Sequence, residues 1–299
     1  MVQEHAPVVV AVNGSPESER AVDWAADDAR TRGLRLRVVY AFDWPRYHSV
    51  PRGLPGFDVD EFARRVVDEA RRRALERVPD LDVEAKHITG DPEPVLLLES
   101  QSAHSLVVGA HRMTAMDAVL PESTALRLLV SASCPLIVVP DRDPGPSTGR
   151  VLVGVDGSET ARTAAEWAFA TAEVRGAALR AVTVRGRARW RFGALEEPSW
   201  TRSDEENRTE EAAAEEEARR TLAEAIGPAR TRRPGVRVEE VVRSGHPVEV
   251  LCASAEDCDL MVVGSHGRGG FAGMLLGSVS RNVISHSPCP VAVVRASRD

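Results

Sequence analysis

Residues 264–280 read GSHGRGGFAGMLLGSVS, with five glycines between Gly264 and Gly273 before Gly277-Ser278 opens a stretch of helical apolar spacing. Glycine admits φ > 0 and lets a ligand approach the main chain closely. Successive backbone N–H groups form an anion-binding concavity, and a helix N-terminus adds partial positive charge. The chemistry written into this run is phosphate binding. Ser278 and Ser280 are candidate hydroxyl donors to phosphate oxygens, although serines also cap helices with no ligand present. Arg268 reads either as a phosphate contact or as a solvated side chain, and its spacing does not decide. The run lacks GxxxxGK[ST], which excludes a P-loop. Residues 267–272 formally match GxGxxA, but a dinucleotide fingerprint follows the first strand of its fold, and this run follows the fourth.

A second candidate is Asp156-Gly157-Ser158, at the end of the apolar run 151–155. Locally it is a turn and a helix N-cap. Chemically, its carboxylate can accept hydrogen bonds from a base or a sugar. Both readings stand on the tripeptide alone.

The elements that must position these groups come from a duplication. Residues 8–25, VVVAVNGSPESERAVDWA, reappear as VLVGVDGSETARTAAEWA at 151–168. Residues 106–112, LVVGAHR, match MVVGSHG at 261–267, and from there the copies run without a gap through SCPLIVV and PCPVAVV. The offset is 143 residues early and 155 late, so the second copy carries a net insertion of twelve. The stretch 141–149, DRDPGPSTG, has linker composition, giving domains at 1–141 and 150–299. Each copy reads as strands alternating with helices. Strands one, four and five are apolar throughout, as expected for a parallel sheet covered on both faces. Right-handed crossovers then give a doubly wound α/β sheet, with ligands at the carboxyl ends of the strands. The spacing of Ala21, Trp24 and Ala25, repeated at Ala164, Trp167 and Ala168, predicts tryptophans that anchor helix one on the sheet.

Bulk properties narrow the function. A net charge of −7 gives no general attraction to nucleic acid or anionic membrane. No apolar run reaches the roughly 18 residues of a membrane span, and the first residues lack a secretory layout. The four cysteines show no metal-ligand spacing, so no metal site is expected and buried free thiols are. A cytoplasmic protein follows from these expectations.

Taken together, Gly264-x2-Gly267-x9-Gly277-Ser278, the VxVDGS signature at 153–158 and the SCP/PCP-apolar endings resemble the universal stress protein family. The resemblance is to its ATP-binding class, in the tandem arrangement common in actinobacteria, and covers nearly the whole chain. It implies Rossmann-like five-stranded parallel sheets of order 3-2-1-4-5, with the fifth strands pairing the two domains antiparallel within one chain. It also implies ATP, with or without Mg2+. Asp156, Gly157 and the main chain near Val184 would lie at the adenine. Gly264, Gly267, Gly277, Ser278, Val279 and Ser280 would surround the ribose and phosphates, with Arg268 as a further phosphate candidate.

The first copy departs at these positions. Gly109 and Ser123 align with Gly264 and Ser278, but Arg112 replaces Gly267, Glu122 replaces Gly277 and Asn13 replaces Asp156. Met113, Thr114 and Ala115 replace Arg268, Gly269 and Gly270, and Pro121 precedes Glu122. A side chain costs about 1 kcal/mol or more where φ > 0 is required. A carboxylate at a helix N-terminus stabilises the helix but repels a triphosphate. Glu122, paired with Arg112, is therefore expected to act as a built-in substitute anion.

The insertion supplies Arg185, Arg187, Arg189 and Arg191 interleaved with Trp190 and Phe192, then an acidic stretch from Glu196 to Glu217. A nucleic-acid contact is disfavoured by that acidity, and a loop leading into a charged, solvated helix is favoured. The arginines could also reach the ATP phosphates or a partner domain. No nucleophile-base pair, metal cluster or carboxylate pair adjoins the glycine run. His111 and His266 follow the fourth strands at equivalent places. The resulting expectation is an ATP-dependent regulatory switch for a stress response, with ATP held mainly in the second domain. Catalysis is limited to slow ATP hydrolysis or autophosphorylation. A homodimer and an unidentified protein partner are compatible with it. The competing class, an adenine-nucleotide hydrolase or adenylate-forming enzyme of the related fold, needs an SGGxDS-type loop where this chain has DGSE.

Overall fold

The computed structural model describes residues 6–42, 59–110, 124–142, 145–185, 204–267 and 276–296. Several sequence expectations fall outside the described residues. These concern Arg112, Glu122 and Ser123 in the first copy, Arg268, Gly269 and Gly270 in the second, and the arginine-rich run 187–192. Residue contacts divide the chain into two compact units, Met1–Pro144 with Cys289–Arg295, and Gly145–Pro288 with Ala296–Asp299.

The first unit alternates β1 (Val8–Ala11), α1 (Pro16–Arg32), β2 (Leu36–Phe42), α2 (Val59–Arg77), β3 (Val83–Thr89), α3 (Pro92–Ser100), β4 (Ser105–Gly109), α4 (Thr124–Ser131) and β5 (Leu136–Val139). Its strands lie in the order β3-β2-β1-β4-β5, all parallel. The chain's final strand, β10 (Val291–Val294), also belongs to this unit by its contacts, and it runs antiparallel to β5 with Ala292 opposite Ile137.

The second unit repeats the pattern with β6 (Arg150–Val155), α5 (Glu159–Arg175), β7 (Ala178–Arg185), α6 (Asp204–Arg232), β8 (Val238–Ser244), α7 (Pro247–Ser254), β9 (Leu260–Gly264) and α8 (Ser278–His286). Its strands run parallel in the order β8-β7-β6-β9. In both units the first and fourth strands are neighbours whose helices leave in opposite directions. That is the switch point at which an open α/β sheet forms a crevice.

The central strands are apolar on both faces because helices cover both. Val8, Val9, Val10, Leu106 and Val107 are fully buried, as are Val151, Leu152, Val153, Leu260 and Met261. Helix one differs in detail from the expectation. Its buried stripe is mostly alanine (Ala21, Ala25, Ala26 and Ala29 in α1; Ala161, Ala164, Ala165, Ala168 and Ala172 in α5), joined by Val22 in α1 and the fully buried Phe169 in α5, while Trp24 and Trp167 are only half-buried. The small residues let the helix axis approach the sheet closely. Residues 204–217 of the acidic stretch lie in α6, which buries Leu222, Ala225, Ile226 and Ala229 and leaves its charged faces to solvent.

The duplication extends to the caps. Ser15 and Ser158 each cap helix one, accepting a hydrogen bond from the backbone N–H three residues on. Gly33 and Gly176 end it in the left-handed conformation, at φ of 64° and 60°.

Candidate functional site

The carboxyl ends of β6, β7 and β9 and the start of α8 bring Asp156, Val184, Gly264 and Gly277 to one end of the second unit's sheet. Val155 and Thr183 are register partners, and the Thr183 hydroxyl donates to the Val155 carbonyl at 2.7 Å. This fixes β7 against β6 one residue short of both Val184 and Asp156.

Asp156 is exposed, and one carboxylate oxygen, Oδ1, accepts from the Ser158 amide at 3.0 Å. Gly157 makes the turn at φ 81°. In the first unit Asn13 Oδ1 accepts from the Ser15 amide at the same 3.0 Å, and Gly14 turns at φ 79°. The turn is therefore independent of the carboxylate's charge. What Asp156 adds is its second oxygen, Oδ2, which faces Gly267: a Cβ built on Gly267 would lie 2.6 Å from it.

The loop glycines serve close approach. Gly264, Gly267 and Gly277 all lie outside the positive-φ region, which corrects the expectation that they are needed for left-handed backbone. A Cβ on Gly264 would stand 2.7 Å from Thr160 Oγ1 and 2.9 Å from the Thr160 carbonyl carbon. The first unit has the same contact, since a Cβ on Gly109 would land on the Glu17 carbonyl. This glycine is retained in both copies because helix one packs its first turn against the end of the fourth strand. Gly277 is different, for a Cβ there would sit at an ordinary 3.5 Å from the Gly267 nitrogen. Among the described residues nothing steric forbids a side chain at 277, but one would stand beside the Gly267 amide.

Ser265, His266 and Gly267 are held on two sides. The Gly277 amide donates to the Ser265 carbonyl at 2.8 Å, tying the start of α8 to the loop. The Thr160 hydroxyl donates to the His266 carbonyl, and the Ser158 hydroxyl reaches the same oxygen at 3.3 Å. The Ser265 hydroxyl, itself buried, lies 2.9 Å from His266 Nδ1 and sets the imidazole along the loop.

Gly277, in extended conformation at φ −68°, provides no side-chain cap at the start of α8, so among the described residues the first-turn amides of Ser278, Val279 and Ser280 have no capping side chain. Helix α5, by contrast, is capped by Ser158, which accepts from the Ala161 amide at 3.2 Å. Ser280 is buried and its hydroxyl donates to the Gly264 carbonyl at 2.6 Å, so it holds α8 to β9. Beside Gly157 a cavity of about 440 Å³ opens between α5 and α6, lined by Arg162, Glu217, Arg220, Thr221 and Glu224. It adjoins the Asp156 turn. Among the described residues, no group of three or more His, Cys, Asp or Glu side chains could hold a metal ion.

Comparison with known proteins places the chain in a family. The model of the universal stress protein family matches twice, at residues 5–140 and 148–295. The chain belongs to the universal stress protein family. It is 34% identical over 325 residues to universal stress protein Rv1996 of Mycobacterium tuberculosis, covering 99% of this chain and 97% of that one. Universal stress protein Rv2005c of the same organism is 35% identical over 302 residues, covering 97% of each. Among solved structures, a universal stress protein from Archaeoglobus fulgidus superposes over 100% of both chains with a TM-score of 0.64 at 21% identity, a likeness of fold. Thr160 and Ser265 are not among the residues singled out in the sequence. Their only sequence signal is the change between copies, where Glu17 and Ala110 stand in their places.

Proposed function

We propose that the second repeat binds ATP and that its occupancy acts as a regulatory switch in a stress response, with at most slow hydrolysis or autophosphorylation. The observation that carries this reading is the start of α8, where Gly277 supplies no side-chain cap and the adjoining loop presents the Gly267 amide. Such a constellation suits a polyphosphate. The phosphates would meet Gly264, Gly267, Gly277, Ser278 and Val279, with Ser280 holding α8 in place. The second oxygen of Asp156, Gly157 and the main chain at Val184 would receive the adenosine. Any Mg2+ would be carried in by the phosphates themselves. Domain limits of 1–141 and 150–299 are part of the reading. So are pairing of the repeats through their last strands, an open option of homodimerisation, and a protein partner that reads the nucleotide state. No helix among the described residues is long and apolar enough to cross a membrane. The four free thiols suit a reducing compartment, and we place the protein in the cytoplasm.

Calorimetric titration with ATP, run alongside a turnover assay, tests the reading. Binding at one ATP per chain with negligible turnover supports it. Rapid release of AMP and pyrophosphate would replace it with an adenylate-forming enzyme, and absence of binding would sink it.

A further inference from the structure

We infer that Thr160 is a positioning residue for the phosphate loop: its hydroxyl, with that of Ser158, aims the Gly267 amide at the ligand. The inference rests on the nucleotide-binding reading above and adds a residue that the family signatures do not include.

The argument begins with one peptide unit. The Thr160 hydroxyl donates to the His266 carbonyl oxygen, which the Ser158 hydroxyl also reaches at 3.3 Å. The two hydroxyls lie 3.2 Å apart; each has one proton, so with Thr160 donating to the carbonyl, Ser158 donates either to that carbonyl or to Thr160 Oγ1. In a trans peptide the carbonyl and the following N–H point in opposite directions within one plane. Holding the His266 oxygen towards α5 therefore turns the Gly267 N–H away from α5, to the side where Gly277 packs. Among the described residues that N–H meets no acceptor, whereas the neighbouring Gly277 amide is bonded to the Ser265 carbonyl at 2.8 Å. Buried or semi-buried backbone donors are nearly always satisfied, so a donor turned outwards beside an uncapped helix start is placed for an external anion.

Two further features fit this role. Thr160 packs tightly on Gly264, 2.7 Å from where a Cβ would stand, so the hydroxyl is fixed by the same contact that seats helix one on β9. The first repeat carries Glu17 at the aligned position. An ionised carboxylate has no proton to donate to a carbonyl, so that copy lacks the device together with the glycine it serves, Arg112 standing in place of Gly267.

Thr160→Val keeps the shape and removes the donor, and Thr160→Ser restores it. For the full-length chain, the valine variant is expected to bind ATP about ten-fold more weakly, to bind adenosine as the wild type does, and to regain ATP affinity as the serine variant. Equal loss for ATP and adenosine would mark a merely structural role and overturn the inference, as would unchanged ATP affinity. Hydrogen exchange in the ligand-free protein tests the clamp without nucleotide: exchange across 265–267 should quicken in Thr160→Val and recover in Thr160→Ser. Unchanged exchange overturns the inference even if ATP binds. A wild-type chain that shows the exchange difference but binds no ATP would overturn the nucleotide reading instead, and with it the role proposed for the clamp.

Discussion

Asp156 Oδ2 occupies the space into which any side chain on Gly267 would project, 2.6 Å from the Cβ position. The two residues lie 111 positions apart in the sequence, yet each limits the other, and the first repeat has changed both together, to Asn13 and Arg112. Gly267→Ala should displace the carboxylate, and Asp156→Asn should keep the turn, as Asn13 does, while removing the charge. Each is expected to weaken ATP binding roughly ten-fold, about 1.4 kcal/mol, with little change in melting temperature. Because they act on one contact, the double variant should lose less than the two singles combined. Calorimetry on the three variants checks this, and strict additivity would refute the coupling.

Gly277→Glu separates helix stability from ligand binding. Among the described residues no steric barrier stands at 277, and a carboxylate at the start of α8 should stabilise the helix by about 0.3–1 kcal/mol. The same carboxylate would cover the Gly267 amide and repel a phosphate. The prediction is a melting temperature equal to or above wild type combined with loss of measurable ATP binding. Retained ATP affinity would mean that the start of α8 takes no part in the site. It would also remove the argument that Glu122 closes the first repeat to nucleotide.

His104 predicts how stability depends on pH. Burial, with a smaller contribution from the nearby Arg32 guanidinium, lowers its pKa to about 4, and its Nε2 is buried with no hydrogen-bond partner. The unfolded chain protonates this ring near pH 6.5, so between those values the unfolded state binds more protons and stability rises with pH. The contribution is complete above about pH 6.5 and is lost as pH falls towards 4, amounting to ~3 kcal/mol at most. Urea denaturation between pH 4 and 7 should show this slope in the wild type and a shallower one in His104→Leu.

The thiols should be inert in the native state. Burial pushes the Cys134 thiol up to about 12, and burial also raises that of the half-buried Cys252. Cys258 and Cys289 are buried. Since the thiolate is the reactive form, a thiol-specific chromophore at pH 8 should label all four cysteines only after denaturation. Rapid labelling of Cys134 in the folded protein would contradict its placement.

The architecture was readable in advance because it depends on repetition and on unbroken apolar runs. The runs 8–12 and 151–155 read as buried strands, and Asp156 and Gly264 follow as residues at the carboxyl ends of β6 and β9. The reason for each glycine was not readable. Gly264 and Gly267 look alike in sequence, yet one yields to the backbone of α5 and the other to a carboxylate, and both constraints come from partners far away in the chain. The tryptophans misled for a related reason: helical spacing identifies a buried face but not its centre, which is held mostly by alanine, with Val22 in α1 and Phe169 in α5. Thr160 carried no motif. Its role depends on a carbonyl more than 100 residues away.

The antiparallel pairing of β10 with β5 has a consequence for synthesis. The strand Leu136–Val139 is wholly buried, and its outer edge is covered by Val291–Val294. A ribosome makes that cover about 150 residues after the strand it protects, which at roughly 5–20 residues per second is a delay of many seconds. Throughout that interval the nascent first half presents an apolar, unpaired strand edge, the kind of surface that recruits other chains. Overexpression in a chaperone-limited host should therefore favour aggregation through residues 136–139, and the exposure would end only when residues 291–294 have emerged.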